Sequence, residues 1–128
     1  MVYLDSSAVM KLVVEEPESS ALRRHLRTAG RTVSAELLRT EVMRASLRVS
    51  QAHAARARQV IGEIDLITLD RFLLERAGEL SPPEVRSLDA IHVAAGLVMG
   101  EALDEFVTYD ARMADAAMQW GLRVGAPV

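Results

Sequence analysis

The chain has 128 residues, 50% of them hydrophobic, which is the size and apolar content of one domain with a single core. Its 26% charged residues, net charge of −3, seven Gly and four Pro exclude a disordered tail, a collagen and a linker. It has no cysteine, which excludes disulfides and thiolate sites, and its three histidines lack metal-ligand spacing, so any metal must be bound by oxygen.

The first half of the chain alternates short apolar runs with helical patterns. Residues 2–4 predict a strand, and Asp5 can cap a helix that runs to about Val14. Pro17 suits the first turn of a second helix, for which Gly30 is a typical stop. The other elements predicted here are a strand at 32–34 and helices at 38–49 and 51–61.

The second half repeats this alternation. Residues 64–69 predict a strand, and Asp70 can cap a helix that contains Phe72. Ser87 can cap a helix to about Met99 that is apolar nearly all round, so we expect this helix to be buried. The last predicted elements are a strand at 106–109, a helix at 111–120 and a possible strand at 122–124. Such alternation predicts an α/β fold with right-handed crossovers and a parallel sheet covered on both faces, in a single domain over residues 1–128.

Nothing in the sequence marks the chain for a membrane or for export. The longest uncharged stretch of its C-terminal half, residues 90–100, is far shorter than the roughly 20 apolar residues of a membrane span. The N-terminus has no basic region followed by a small-residue cleavage site, which predicts a cytoplasmic protein.

The net charge conceals a strong asymmetry along the chain. Residues 1–20 have a net charge of −3, and residues 63–128 have a net charge of −7. Residues 21–62 contain nine arginines and only two acids, Glu36 and Glu41, which gives a net charge of +7. Because guanidinium groups suit bidentate contact with phosphate, the arginine-rich segment is a candidate nucleic-acid surface. The alternative is that these arginines only solvate helix faces.

Four acidic residues are candidates for one shared site. In an open parallel sheet, ligands bind outside the carboxyl ends of the strands, where the strand order reverses. Asp5 and Asp110 each terminate a predicted strand. Asp89 lies in the first turn of the buried helix, and Glu41 lies beside the apolar stripe of another helix. We therefore expect the four carboxylates to open onto one edge of the sheet.

Each of these acids also has an ordinary structural explanation. Asp5 and Asp110 can be helix caps, and Asp89 can be a first-turn acid favoured by the helix dipole. Glu41 can pair with Arg44 on a wet surface. For each acid considered alone, one of these structural roles is the better explanation.

Five further polar residues lie near the acids in sequence. The hydroxyls of Ser6, Ser7 and Thr108 can bond a carboxylate or a metal-bound water, although capping and strand propensity also explain them. Asp115 is expected to be solvated, opposite the apolar stripe of the last helix. His92 is expected to be packed or hydrogen-bonded rather than catalytic.

Four stretches, taken in order, resemble one protein family. They are LDSSAVMKLVVEE (4–16), RTEVMRA (39–45), SLDAIHVAA (87–95) and VTYDARMADAA (107–117). Over the whole chain they resemble the PIN-domain ribonucleases, and most closely the VapC-type toxins of bacterial toxin-antitoxin pairs. The resemblance implies a three-layer α/β/α sandwich around a parallel sheet of four to five strands, whose acidic pocket holds Mg2+ or Mn2+ and cuts RNA.

The resemblance also implies a role for each acid. The family's catalytic acids fall on Asp5, Glu41, Asp89 and Asp110. Asp5, Asp89 and Asp110 are expected to contact the metal, and Glu41 to act from outside it or to activate water, so no histidine base is needed. The residues expected to support these acids are Ser6, Thr108 and Asp115, the last standing where only some members have a fifth acid.

The partners that the resemblance implies are an RNA substrate, a small cognate antitoxin and a second copy of the chain in a homodimer. A guanidinium or ammonium group would block an acidic pocket, so the antitoxin is expected to carry a basic anchor. A different function remains open, that of a non-catalytic RNA-binding or regulatory module that keeps a PIN-like fold. A metal-dependent nuclease assay separates the two.

Overall fold

A computed structural model describes all residues, 1–128, as five short strands and seven α-helices. The strands are β1 (Val2–Leu4), β2 (Thr32–Ala35), β3 (Asp65–Ile67), β4 (Glu105–Val107) and β5 (Val124–Gly125). The helices are α1 (Ser6–Val13), α2 (Ser19–Thr28), α3 (Leu38–Val49), α4 (Gln51–Gly62), α5 (Arg71–Gly78), α6 (Ser87–Val98) and α7 (Ala111–Gln119), with a 3-10 turn at Gly100–Ala102. None of the helices has the length and apolar character needed to cross a membrane.

All five strands pair in parallel in one sheet, in the order β3-β2-β1-β4-β5. The chain builds outward from β1 to β3 on one side, then crosses to β4 on the other side of β1. The strand order therefore reverses between β1 and β4, and a crevice for ligands is expected at the carboxyl ends of these two strands. The parallel sheet is confirmed, and a fifth strand is present, although it is Val124–Gly125 and shares only Val124 with the predicted 122–124.

Helices cover the sheet on both faces. Because side chains alternate along a strand, Val2 and Leu4 of β1 pack into a core with α1, α3 and α4, while Tyr3 packs into a second core with α5, α6 and α7. Gly96 lets α6 approach the sheet closely, since a Cβ there would lie 3.0 Å from the ring of Phe106. The three-layer α/β/α sandwich is thus confirmed.

Several local predictions were wrong. Ser87 is the first residue of α6 and not its cap, which is Arg86, and Arg86 makes no capping hydrogen bond through its side chain. The helix is also not buried all round, because Leu88 and Val98 are half exposed. Pro17 lies in a turn, and α2 begins after it, at Ser19.

Candidate active site

The four candidate acids lie around the point where the strand order reverses. Asp5 directly follows β1, and Asp110 follows β4 after two residues. Glu41 reaches the same edge from α3, on one face of the sheet, and Asp89 from α6, on the other. Hydrogen bonds, an ion-pair bridge and a shared cleft connect the four.

Asp5 is a buried carboxylate, only 2% exposed. Its Oδ1 accepts hydrogen bonds from Ser7 Oγ at 2.7 Å and from the Ala8 amide at 2.9 Å, and its Oδ2 accepts one from Thr108 Oγ1 at 2.6 Å. No cationic side chain lies within 4.0 Å of it. Burial raises the pKa of Asp5, although these three hydrogen-bond donors oppose the rise. Asp5 therefore caps α1, as its ordinary explanation predicts, but it is also a buried acid without a counter-charge.

Thr108 links Asp5 to Asp110. Its hydroxyl donates to Asp5 and accepts a hydrogen bond from the Asp110 amide at 3.1 Å. Asp110 Oδ1 in turn accepts from the amides of Arg112 at 2.9 Å and Met113 at 3.2 Å, which caps α7. The capping explanation of Asp110 is confirmed too, and its Oδ2 is left for other contacts.

Glu41 does not pair with Arg44. Its Oε1 accepts a hydrogen bond from Ser6 Oγ at 2.6 Å and lies 2.8 Å from His92 Nε2. The other ring nitrogen of His92 lies 2.7 Å from the hydroxyl of Tyr3, so three side chains form a hydrogen-bonded chain. Burial raises the pKa of Tyr3 well above its ordinary value of 10.0. His92 is 1% exposed and hydrogen-bonded, as predicted.

Arg86 bridges the remaining two acids. Its Nε lies 3.2 Å from Asp89 Oδ2, and its Nη2 lies 3.6 Å from Asp110 Oδ2. Glu41, Arg86 and Asp89 line one open cleft of about 390 Å³. A second cleft of about 320 Å³ continues from Arg86 and Asp89 to Asp115, which is exposed and makes no hydrogen bond or ion pair within the chain.

The chemistry of the donors fits a hard divalent cation, since carboxylate and hydroxyl oxygens are the ligands that Mg2+ takes. Asp5 supplies a buried negative charge that a cation would compensate. The acidic side chains do not point at one common position, however, because no three acidic or histidine groups lie close enough together to hold one metal ion. The guanidinium of Arg86 lies against two of the acids, Asp89 and Asp110.

Comparison with protein families gives one decisive match. The family model for the PIN domain matches residues 2–118. This chain belongs to the PIN-domain family. Among PIN-domain proteins it is similar to three ribonucleases of Mycobacterium tuberculosis, each aligned over nearly all of both chains. VapC46 is 48% identical, and the alignment covers 98% of this chain and 97% of VapC46. VapC47 is 35% identical and VapC35 is 37% identical, and each alignment covers 99% of this chain and 97% of the relative. The chain therefore groups with the VapC-type members of the PIN-domain family, as the four stretches predict.

Solved structures support the PIN fold at lower identity. VapC20 of Mycobacterium tuberculosis, described as a sarcin-ricin loop cleaving toxin, superposes with a TM-score of 0.76 at 15% identity, covering 99% of this chain and 100% of the other. VapBC2 from Rickettsia felis, bound to a DNA fragment from its promoter, superposes with a TM-score of 0.77 at 11% identity and full coverage of both chains. At these identities the likeness shows the shared fold.

Sequence reasoning missed two features of this PIN-domain site. One is Arg86, whose i, i+3 spacing to Asp89 was a usable signal for an ion pair. The other is Tyr3, which contacts His92 across 89 residues and has no local signal. Ser7, weighed as a possible contact, proves to be a donor to Asp5.

Proposed function

We propose that this PIN-domain protein is an endoribonuclease that depends on Mg2+ or Mn2+ and acts on single-stranded or structured RNA. The observation that carries the proposal is Asp5, a buried carboxylate without a cationic partner at the reversal of strand order. A buried charge is costly unless it is compensated, and a divalent ion would compensate it. The names of the relatives, which are ribonucleases, support RNA as the substrate.

The four acids would have two different roles, metal binding and activation of water. Asp5, Asp89 and Asp110 would hold the ion, with Asp89 and Asp110 released from Arg86 to do so. When bound, such an ion lowers the pKa of a coordinated water and stabilises charge on the leaving oxygen. Glu41 would orient the attacking water and accept its proton, because Oε2 has no donor within the chain.

Three other side chains would support these acids. Ser6 donates to Glu41, and Thr108 donates to Asp5, so each hydroxyl holds one proposed catalytic group in place. Asp115 lies in the cleft that begins at Asp89, where it would act through water on the ion or on the substrate. In all three cases the contribution would be to orientation.

RNA would approach over α3 and α4. Arg44 lies one turn beyond Glu41 on α3, is exposed, and has no ion-pair partner. Arg48 on α3, and Arg56 and Arg58 on α4, are also exposed and unpaired. Exposed, unpaired arginines on the helix that carries Glu41 and on the helix after it suit contact with RNA phosphates.

A cleavage assay tests the proposal. A pool of labelled RNA is incubated with the protein in Mg2+, in Mn2+, and in EDTA. We expect cleavage in either metal and none in EDTA. Undiminished cleavage in EDTA would contradict metal dependence. If no RNA is cleaved under any condition, a non-catalytic RNA-binding or regulatory module becomes the better account.

One observation favours a second function, that of an RNA-binding or regulatory module without turnover. The acids do not converge on a common ion, and a guanidinium lies against two of them. Such a module would bind RNA with the same affinity in Mn2+ and in EDTA, and would never shorten it. An electrophoretic mobility shift assay run beside the cleavage assay separates the two functions.

We further propose that the protein is the toxin of a cytoplasmic toxin-antitoxin pair. An antitoxin segment would place an arginine or lysine between Asp89 and Asp110, where Arg86 already shows that a guanidinium fits. A groove of about 430 Å³, lined by apolar residues such as Leu80 and Ile91 and by polar ones such as Glu79, lies beside this position and would take the rest of the segment. Such an anchor is typically worth about 2 to 4 kcal/mol of binding free energy.

Co-purification with the product of the neighbouring gene tests the pairing. We expect that product to bind and to stop cleavage, and replacement of its basic anchor by Ala to release the activity. If it binds without affecting cleavage, the toxin function fails and a housekeeping ribonuclease becomes the better account.

A homodimer is the proposed assembly of the chain. The exposed side chains of Phe72, Val98 and Trp120 line an apolar groove of about 450 Å³ at the end of the α5–α7 layer. Clustered exposed apolar side chains are typical of a contact between proteins. Light scattering of the parent and of Phe72→Glu tests this, with a dimer expected for the parent and a monomer for the variant. A parent that is monomeric throughout would contradict the dimer.

A further inference from the structure

A buried chain of hydrogen bonds ends on Glu41. The hydroxyl of Tyr3, on β1, lies 2.7 Å from His92 Nδ1, and His92 Nε2, on α6, lies 2.8 Å from Glu41 Oε1. Tyr3 and His92 are both fully buried in the apolar layer between the sheet and α6. The chain therefore connects the core of the protein to one acid of the proposed site.

The direction of these hydrogen bonds follows from counting protons. The Glu41 carboxylate can only accept, so His92 Nε2, 2.8 Å from Oε1, carries a proton and donates to it. In a neutral imidazole Nδ1 then carries no proton. Nδ1 therefore accepts from the Tyr3 hydroxyl, 2.7 Å away.

Only one oxygen of Glu41 is held in this way. Oε1 accepts from both His92 and Ser6, while Oε2 has no donor within the chain. Glu41 also lines the cleft that it shares with Asp89. One oxygen is thus fixed by the protein, and the other is free for water.

We propose that Tyr3 and His92 are positioning residues for RNA cleavage, which fix Glu41 Oε1 so that Oε2 meets the attacking water. This inference rests on the proposed function and adds two residues to its machinery. Tyr3 holds the His92 ring through Nδ1, and His92 holds Glu41 through Nε2. Partners of this kind, one step removed from the reacting groups, commonly change activity by about 10- to 100-fold.

Four variants measured in steady-state cleavage of one RNA substrate test the inference. His92→Leu removes the donor to Glu41 and should lower kcat by about 10- to 100-fold with little change in KM. His92→Gln keeps an N–H that can reach Glu41 and should recover most of the loss. Tyr3→Phe should lower kcat by about 3- to 10-fold. Tyr109→Phe is the matched control, because it deletes a phenol hydroxyl that donates to the Pro127 carbonyl, and it should cleave at the parent rate.

Nitrogen NMR of the histidine rings gives a readout that does not depend on activity. With three histidines in the chain, the His92 signals can be assigned by comparison with His92→Gln. We expect a protonated Nε2 and an unprotonated Nδ1 in the parent. Tyr3→Phe should shift the Nδ1 signal, and Glu41→Gln should shift the Nε2 signal.

The outcomes separate this inference from the proposed function. If His92→Leu and His92→Gln unfold at the parent temperature and both cleave at the parent rate, or if His92 carries its proton on Nδ1, the positioning role is overturned. If His92→Gln is as inactive as His92→Leu, the N–H is not what matters, and the inference also falls. If the parent does not cleave RNA at all, the proposed function is overturned instead, and the NMR spectra show that the hydrogen-bonded chain exists without that use.

Discussion

The Nε of Arg86 lies 3.2 Å from Oδ2 of Asp89, one turn further along the same helix end. The same guanidinium reaches Asp110 with its Nη2, at 3.6 Å. Arg86 is largely exposed, so it is free to swing away. A positive side chain thus lies against two of the three acids that would hold the metal.

Removal of Arg86 should strengthen metal binding. Arg86→Gln eliminates a charge that competes with the ion for Asp89 and Asp110, and calorimetric titration with Mn2+ should give a dissociation constant about 2- to 5-fold lower than that of the parent. The matched control is Arg112→Gln, since Arg112 lines the same cleft without an ion pair. Weaker Mn2+ binding by Arg86→Gln would mean that Arg86 supports the ion rather than competing with it.

Asp5 should destabilise the metal-free protein at neutral pH. Burial raises the pKa of Asp5 in the folded protein above its ordinary value of 3.8. At a pH between 3.8 and the folded pKa, the folded protein therefore keeps a proton on Asp5 that the unfolded chain has released. Raising the pH through this window therefore lowers the free energy of unfolding. In EDTA at pH 7, Asp5→Asn should melt at the parent temperature or up to about 4 °C higher, and at pH 3 the difference should vanish.

The control for this prediction is Asp70→Asn. Asp70 caps α5 through the Leu73 amide at 2.9 Å, as Asp5 caps α1, but it is exposed and lies beside β3, two strands from β1. Its replacement should leave the melting temperature nearly unchanged, and Mg2+ should then raise that temperature as it does in the parent but not in Asp5→Asn. Strong destabilisation of metal-free Asp5→Asn would identify Asp5 as a structural cap alone.

We expect Thr108 to stabilise the folded protein through its hydrogen bond to Asp5. Thr108→Val keeps the shape of the side chain but removes the donor 2.6 Å from a buried carboxylate, which should lower the free energy of unfolding by about 1 to 3 kcal/mol in urea. In the Asp5→Asn background the same change should cost clearly less, because the unsatisfied group is then neutral. Equal costs in both backgrounds would show that the two side chains are not coupled. Thr68→Val, at an exposed position, controls for the substitution itself.

The elements of the fold were predictable because their signals are local. Asp5, Asp70 and Asp110 each precede an apolar helical pattern, and each proves to cap its helix. The strands are short apolar runs between these helices, and their parallel pairing follows from the alternation. The reversal of strand order needed the crossover from β3 to β4, which no local pattern specifies.

The connections within the site were less predictable because they are non-local. Helical spacing offered Arg44 as the partner of Glu41, whereas the actual partner, His92, is 51 residues away and on the opposite face of the sheet. Phe72 shows the same limit for the core, since it belongs to an apolar run but is 60% exposed. An amphipathic pattern indicates which residues are apolar but not which of them an adjacent element covers.

The most direct test of the proposed site compares single-turnover RNA cleavage by the parent, Asp5→Asn, Asp89→Asn and Asp70→Asn in Mn2+. Loss of one charge weakens the hold on the ion, so Asp5→Asn and Asp89→Asn should each lose at least about 100-fold in rate, roughly 3 kcal/mol of barrier. Asp70→Asn, a cap outside the site, should cleave at the parent rate. If Asp5→Asn and Asp89→Asn remain folded and cleave as fast as Asp70→Asn, the acidic site at the reversal of strand order is not where RNA is cut.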